Sequence, residues 1–164
     1  SGYLPMSAVM VGDRVAAKLI ADGGEFYHGF TYSGHPVAAA VALANLQIIE
    51  DEKLIERVRD DTGPYLAAAL APLADHPLVG EVRSFGMLAA IELVKDKAGP
   101  VLFEPVGDVG VICRDHAIAC GLMMRAVRDG MIMSPPLTFG RADIDEAVRI
   151  AVMALDKTAA DLRI

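Results

Sequence analysis

The segment that decides the fold is HGFTYSGHP, His28–Pro36, which leads directly into the apolar run VAAAVALANLQII, Val37–Ile49. Pro36 predicts the first position of a helix, because its fixed φ suits a helix and its missing N–H costs nothing there. Before it, backbone N–H groups, the Thr31 and Ser33 hydroxyls and the positive end of the helix dipole could converge on a phosphate. The same pattern is also typical of an ordinary helix cap without a ligand. The apolar run predicts a helix as far as Glu50 that is buried on more than one side.

Composition excludes several classes of function. The 164 residues carry a net charge of −7, which argues against nucleic acid as a partner. No apolar run is long enough for a membrane span, and the N-terminus lacks the pattern of a signal peptide. Cys113 and Cys120 are too far apart on one predicted helix for a disulfide, which favours a cytoplasmic protein. The four histidines show no ligand spacing with these cysteines, so we expect no metal site.

The high hydrophobic fraction, 54%, indicates surfaces that meet another part of the same polypeptide or another subunit. In the first part of the chain we expect a short strand over Ala8–Val11 and a helix from Arg14 to about Ala21, capped by Asp13. A further helix begins at Asp51, with a kink or a break at Gly63–Pro64. We place a domain boundary near residue 50.

The second part mixes strands and helices. Glycines and turn residues separate its predicted elements, which is the usual role of such residues. The elements are strands Val79–Phe85 and Met87–Val94 meeting at Gly86, helix Val106–Cys120, strands Leu122–Val127 and Met131–Ser134 around Arg128–Gly130, and helix Arg141–Leu162 behind Gly140.

Four segments, in order, resemble class III aminotransferases, which are pyridoxal-phosphate enzymes of fold type I. They are Ser1–Ala8, His28–Leu46, Phe85–Met87 with Ile91–Leu93, and Met124–Ala126 with Pro135–Thr138. His35 favours the omega-amino-acid:pyruvate branch, because the ornithine-type branch usually has Asn there. The resemblance covers essentially the whole chain and implies the C-terminal third of such an enzyme.

The fold class that the resemblance implies is α/β. Residues 1–50 would be the C-terminal part of the large pyridoxal-phosphate-binding domain, which contains a mostly parallel sheet. Residues 51–164 would be the small C-terminal α+β domain.

The resemblance also implies binding residues. Thr31 would donate its hydroxyl, and Phe30 and Thr31 their N–H groups, to the pyridoxal 5'-phosphate of the neighbouring subunit, so the protein is expected to be a homodimer or a higher oligomer. Arg125 matches the arginine that binds the substrate carboxylate, although by itself it is typical of a surface arginine on a hairpin. Tyr3 would line the substrate pocket, and a buried core tyrosine is an equal alternative.

The lysine that binds the cofactor in this family would lie a few residues before Ser1, so we expect no catalytic residue within this chain. The five lysines present are expected to be solvated surface groups. Either the chain is a piece of a longer polypeptide, which the missing initiator Met favours, or it is a lysine-free dimerisation or binding module. The expected reaction moves an amino group from an amine or omega-amino acid to pyruvate or a similar 2-oxo acid. A same-fold aminomutase or decarboxylase is the alternative enzyme.

Overall fold

A computed structural model describes residues 3–23, 26–99 and 101–164. The chain divides into two compact units, Ser1–Glu52 and Lys53–Ile164. Their assignment to the large and small domains of an aminotransferase stays a prediction. No helix of the described ranges is both long enough and apolar enough to cross a membrane.

The first unit contains two helices, α1 (Asp13–Asp22) and α2 (Pro36–Asp51). The helix start predicted from Pro36 is confirmed. His35 is the N-cap of α2, and its ring Nδ1 accepts a hydrogen bond from the Ala38 N–H at 3.4 Å. The predicted cap of α1 is wrong by one residue, because Gly12 is the N-cap and Asp13 lies in the first helical turn. There the carboxylate still meets the positive end of the helix dipole.

Two predictions for the first unit are wrong. The segment Ala8–Val11 forms no strand, and its Met10 is 92% exposed. A strand needs a neighbouring strand for its ladder of hydrogen bonds, and the described residues of this unit contain none. The apolar helix α2 has no buried residue, and its Leu43 is 67% exposed. Burial of α2 therefore depends on atoms that this unit does not supply.

The second unit begins with an irregular run of helix. It consists of α3 (Leu54–Arg57), a π-helical turn (Val58–Thr62), α4 (Gly63–Leu70) and a 3₁₀ turn (Ala71–Asp75). The predicted start at Asp51 is wrong, because α3 begins at Leu54, whereas the predicted irregularity is present as the π-helical turn directly before Gly63–Pro64. A Cβ on Gly63 would lie 2.5 Å from the Val58 carbonyl oxygen, so the π turn needs a glycine there.

Four antiparallel strands form one sheet in the order β1-β2-β4-β3. The strands are β1 (Val79–Phe85), β2 (Leu88–Leu93), β3 (Arg125–Val127) and β4 (Gly130–Met133). The first hairpin is confirmed, with Gly86 at φ +57° in its turn. The second hairpin is confirmed with different bounds. Its turn is Arg128–Asp129, because Val127 pairs with Gly130, and the residues 122–124 lie outside β3.

Two long helices complete the second unit, α5 (Asp108–Ala119) and α6 (Arg141–Leu162). The predicted bounds of α6 are confirmed, and the Asp143 carboxylate accepts from the Gly140 N–H at 2.8 Å at its start. Helix α5 begins two residues later than expected. Helices α4, α5 and α6 pack together and against the sheet around one apolar core. Its fully buried members include Leu66, Leu70, Leu78, Ile91, Leu93, Met131, Ile144 and Leu155.

Candidate functional site

The loop before α2 is held together by its own hydrogen bonds. The Ser33 N–H donates to the Phe30 carbonyl at 2.9 Å, and the Ser33 Oγ accepts from the Phe30 N–H at 3.0 Å. The His35 N–H donates to the Tyr32 carbonyl at 3.2 Å. Gly34 lies within the second of these turns at φ +73°, a conformation that glycine adopts without strain. The loop therefore enters α2 in a defined conformation.

Thr31 lies at the exposed corner of this loop. Neither its N–H nor its hydroxyl has an acceptor within the part of the chain that the structure describes. Both donors lie on the N-terminal side of α2, where a helix favours negative charge. The Phe30 N–H differs, because it already donates to Ser33. In this conformation Thr31 offers a free N–H and a hydroxyl, which are the donors that an anion such as a phosphate needs.

Two open cavities lie in the first unit, one beside this loop and one along α2. One, of about 530 Å³, is lined by Leu4, Met6 and by loop residues that include Phe30 and His35. The other, of about 410 Å³, lies between the segment that starts at Tyr3 and one side of α2. Tyr3 is 82% exposed, so in this unit it lines a surface and is no core residue.

Arg125 begins β3, where its Cα pairs with that of Ile132. Its side chain is exposed, and the described residues place no hydrogen-bond acceptor or carboxylate beside the guanidinium. The two residues before it differ in exposure, since Met123 is 87% exposed and Met124 is buried. Met124 thus anchors the segment in the core while the planar guanidinium stays available for two parallel bonds to a carboxylate.

Sequence reasoning missed one polar residue of this hairpin. The sequence indicated only that Asp129 lies in a turn. In the structure it is buried, and its carboxylate accepts from the N–H groups of Gly107 and Gly110. The available signal was the pair of glycines at the start of α5, which lets another chain segment approach the backbone.

The five lysines are all exposed, as expected, and Lys18 pairs with Asp22 on α1. Both cysteines are free thiols. Burial raises the pKa of the Cys113 thiol, a shift that a hydrogen bond with Thr158 partly opposes. Within the described ranges no three His, Cys, Asp or Glu residues are grouped as metal ligands would be.

The structure brings together one part of the predicted site. Phe30 and Thr31 share the loop, and Tyr3 lies in the same unit. Arg125 belongs to the second unit. The binding roles of these four residues stay predictions.

Comparison with known proteins gives the family. The family model for aminotransferase class-III matches residues 1–155. The chain is 55% identical to putrescine--pyruvate aminotransferase of Pseudomonas aeruginosa over 98% of this chain and 35% of that protein. It is 43% identical to diaminobutyrate--2-oxoglutarate transaminase of Halomonas elongata over 96% of this chain and 34% of that protein.

Solved structures agree with these relatives. A transaminase with L-alanine superposes with a TM-score of 0.83 at 40% identity and covers 93% of this chain and 36% of its own. The omega transaminase of Pseudomonas jessenii in complex with PMP has a TM-score of 0.80 at 40% identity, covering 89% of this chain and 32% of its own. The chain spans about a third of the length of the curated relatives it matches. Its fold is that of the corresponding part of these enzymes, and the chain belongs to the class-III aminotransferase family.

Proposed function

We propose that this chain is the C-terminal part of a pyridoxal-phosphate-dependent omega-transaminase. The enzyme moves an amino group from an amine or omega-amino acid to pyruvate or a similar 2-oxo acid. The observation that carries the proposal is the 55% identity to a protein named for putrescine and pyruvate, which extends over 98% of this chain. That range includes the Thr31 loop and the Arg125 hairpin.

Thr31 would bind the cofactor phosphate. Its unpartnered N–H and hydroxyl, at the N-terminal side of α2, fit a dianionic group better than a neutral one. The bound cofactor supplies the electron sink for amino-group transfer, while protein groups hold and orient it. The residues of this chain contribute binding, because its five lysines are exposed and lack the desolvated environment that a reactive lysine needs.

Arg125 would bind the carboxylate of pyruvate, or of the alanine that forms from it. The guanidinium has no acceptor or carboxylate partner among the described residues, so a bound carboxylate would not displace an existing ion pair. Tyr3 would line the substrate pocket, since it is exposed and lines one of the two cavities.

A homodimer in the cytoplasm is part of the proposal. Helix α2 exposes apolar side chains, and this supports a partner surface that covers them in the dimer. The two free thiols, Cys113 and Cys120, support a reducing compartment. In the dimer, the Thr31 loop would serve the cofactor of the neighbouring subunit.

The test uses the full-length enzyme, purified with its cofactor. Putrescine and pyruvate are supplied, and alanine is measured by chromatography. Alanine formation that requires both substrates supports the proposal. Release of carbon dioxide from an amino acid, or a shift of the amino group within one substrate, without alanine would indicate the decarboxylase or the aminomutase instead.

A further inference from the structure

One buried carboxylate holds the hairpin that carries Arg125. Asp129 lies in the two-residue turn of that hairpin and is 2% exposed. Its two oxygens accept from the N–H groups of Gly107 and Gly110, each at 2.9 Å. Gly107 is the N-cap of α5 and Gly110 lies in its first turn. The carboxylate therefore satisfies two of the N–H groups that a helix leaves unpaired at its start, at the positive end of the dipole.

The backbone of the turn is fixed as well. The Leu93 N–H of β2 donates to the Asp129 carbonyl at 2.9 Å. A Cβ on Gly110 would lie 2.1 Å from the Arg128 carbonyl oxygen, so only glycine lets α5 approach the turn this closely. The turn is thus attached to β2 through the Asp129 backbone and to α5 through its side chain.

Strand β3 depends on this attachment. It has three residues, it lies at the edge of the sheet, and it bonds to β4 alone. Its connection to β4 is the Arg128–Asp129 turn, so a shift of the turn also moves Arg125, which lies three residues before the turn begins. A carboxylate-binding guanidinium tolerates little displacement, because two bonds must form in one plane.

We infer that Asp129 is a positioning residue for carboxylate recognition: by joining the hairpin turn to the start of α5, it sets the place of Arg125. The inference rests on the proposed role of Arg125 in binding pyruvate. It adds a residue that contacts no substrate and that acts through the backbone of β3.

The experiment compares Asp129→Asn with Asp108→Asn in the full-length holoenzyme. Asn keeps the size of the side chain but replaces one acceptor oxygen with a donor that faces an N–H. Asp108 is the matched control, because it lies in the first turn of the same helix, is exposed and has no hydrogen bond among the described residues. Each variant loses one negative charge at the same helix start.

We expect Asp129→Asn to raise the KM for pyruvate by about tenfold to a hundredfold, the scale of a small misplacement of a binding group. The rate of the half-reaction with putrescine, followed by the cofactor absorbance, is expected to change by less than about threefold, which is the scale of an ordinary surface substitution. Amide hydrogen exchange of 125–127 is expected to become faster in Asp129→Asn and to stay unchanged in Asp108→Asn.

A double-mutant cycle separates positioning from a general loss of structure. In an Arg125→Ala background, Asp129→Asn is expected to cause no further rise in the pyruvate KM, because its effect passes through Arg125. The inference is overturned if the rises in pyruvate KM of the two variants are additive, or if both half-reactions are slowed equally. If wild-type enzyme makes no alanine from pyruvate, the proposed function itself is refuted. An active wild type with an unaffected Asp129→Asn variant refutes the positioning role alone.

A second background keeps the test decisive if Asp129→Asn does not fold. Arg128 has φ +56°, and glycine adopts that conformation without strain. The same cycle in an Arg128→Gly background therefore starts from a more stable turn. The same pair of outcomes, a selective rise in pyruvate KM or its absence, then supports or overturns the inference.

Discussion

Substitution of Arg125 by alanine tests the proposed substrate contact most directly. The guanidinium is exposed, and the described residues place no partner beside it. Its removal therefore leaves no orphaned protein group, and we expect the free energy of unfolding to change by no more than about 0.5 kcal/mol. The loss is expected in substrate binding, where removing one partner of a desolvated charge pair costs about 2–5 kcal/mol.

That cost corresponds to a loss of about 30-fold or more in kcat/KM for pyruvate. Putrescine carries no carboxylate, so its half-reaction is expected to change much less. The assay follows each half-reaction separately by the cofactor absorbance, and a thermal melt checks the stability of each protein.

The matched control is Arg128→Ala, three residues along the same hairpin. Arg128 is also exposed, and the structure gives its side chain no hydrogen bond within the described ranges. We expect both half-reactions of this variant to match wild type. Equal losses for pyruvate and putrescine in Arg125→Ala, or a drop in melting temperature that accounts for the loss, would refute a carboxylate-binding role.

Three further predictions concern the cofactor, the core and pH. Thr31→Ala is expected to lose contacts worth about 1.5–3 kcal/mol, and hence about tenfold or more in cofactor retention on dilution, whereas Thr31→Ser retains the hydroxyl and is expected to retain the cofactor. Retention by Thr31→Ala equal to wild type would contradict the assignment. Leu66→Ala, at a fully buried position, is expected to cost about 2–5 kcal/mol in denaturant unfolding, and a loss below about 1 kcal/mol would contradict the packing described. Burial raises the pKa of Cys113, so its stabilising contribution is present below the unfolded pKa and is lost as pH rises through the folded pKa. Above about pH 8.5, the free energy of unfolding measured with denaturant is therefore expected to fall more in wild type than in Cys113→Ala. An equal pH dependence of the two proteins would contradict this.

Local signals carried much of the fold. Pro36 predicted the start of α2, Gly86 the first hairpin turn, and Gly140 the start of α6, where Asp143 accepts from the Gly140 N–H, and the structure confirms each. Each signal acts within one turn of chain, through a fixed φ, a positive φ or a hydrogen bond to a backbone group three residues away. Such effects need no knowledge of distant residues. The family resemblance, now confirmed, likewise came from short segments in a fixed order.

The errors arose where the outcome depends on distant atoms. Ala8–Val11 has the composition of a strand but no neighbouring strand in its unit, and α2 has apolar faces that nothing in its unit buries. One error is local instead, because the Phe30 N–H donates to the Ser33 Oγ only three residues along the chain, which removes a donor that the motif implied.

The sequence by itself determined the starts of α2 and α6, the first hairpin turn and the family, because these depend on residues close together along the chain. The tertiary structure decided which polar groups are free to bind a ligand and which are already used. Asp129 shows the reason, since its partner Gly110 lies 19 residues earlier. Only folding brings the turn to the start of α5, where a carboxylate otherwise typical of a solvated turn becomes a buried group that holds the backbone near Arg125.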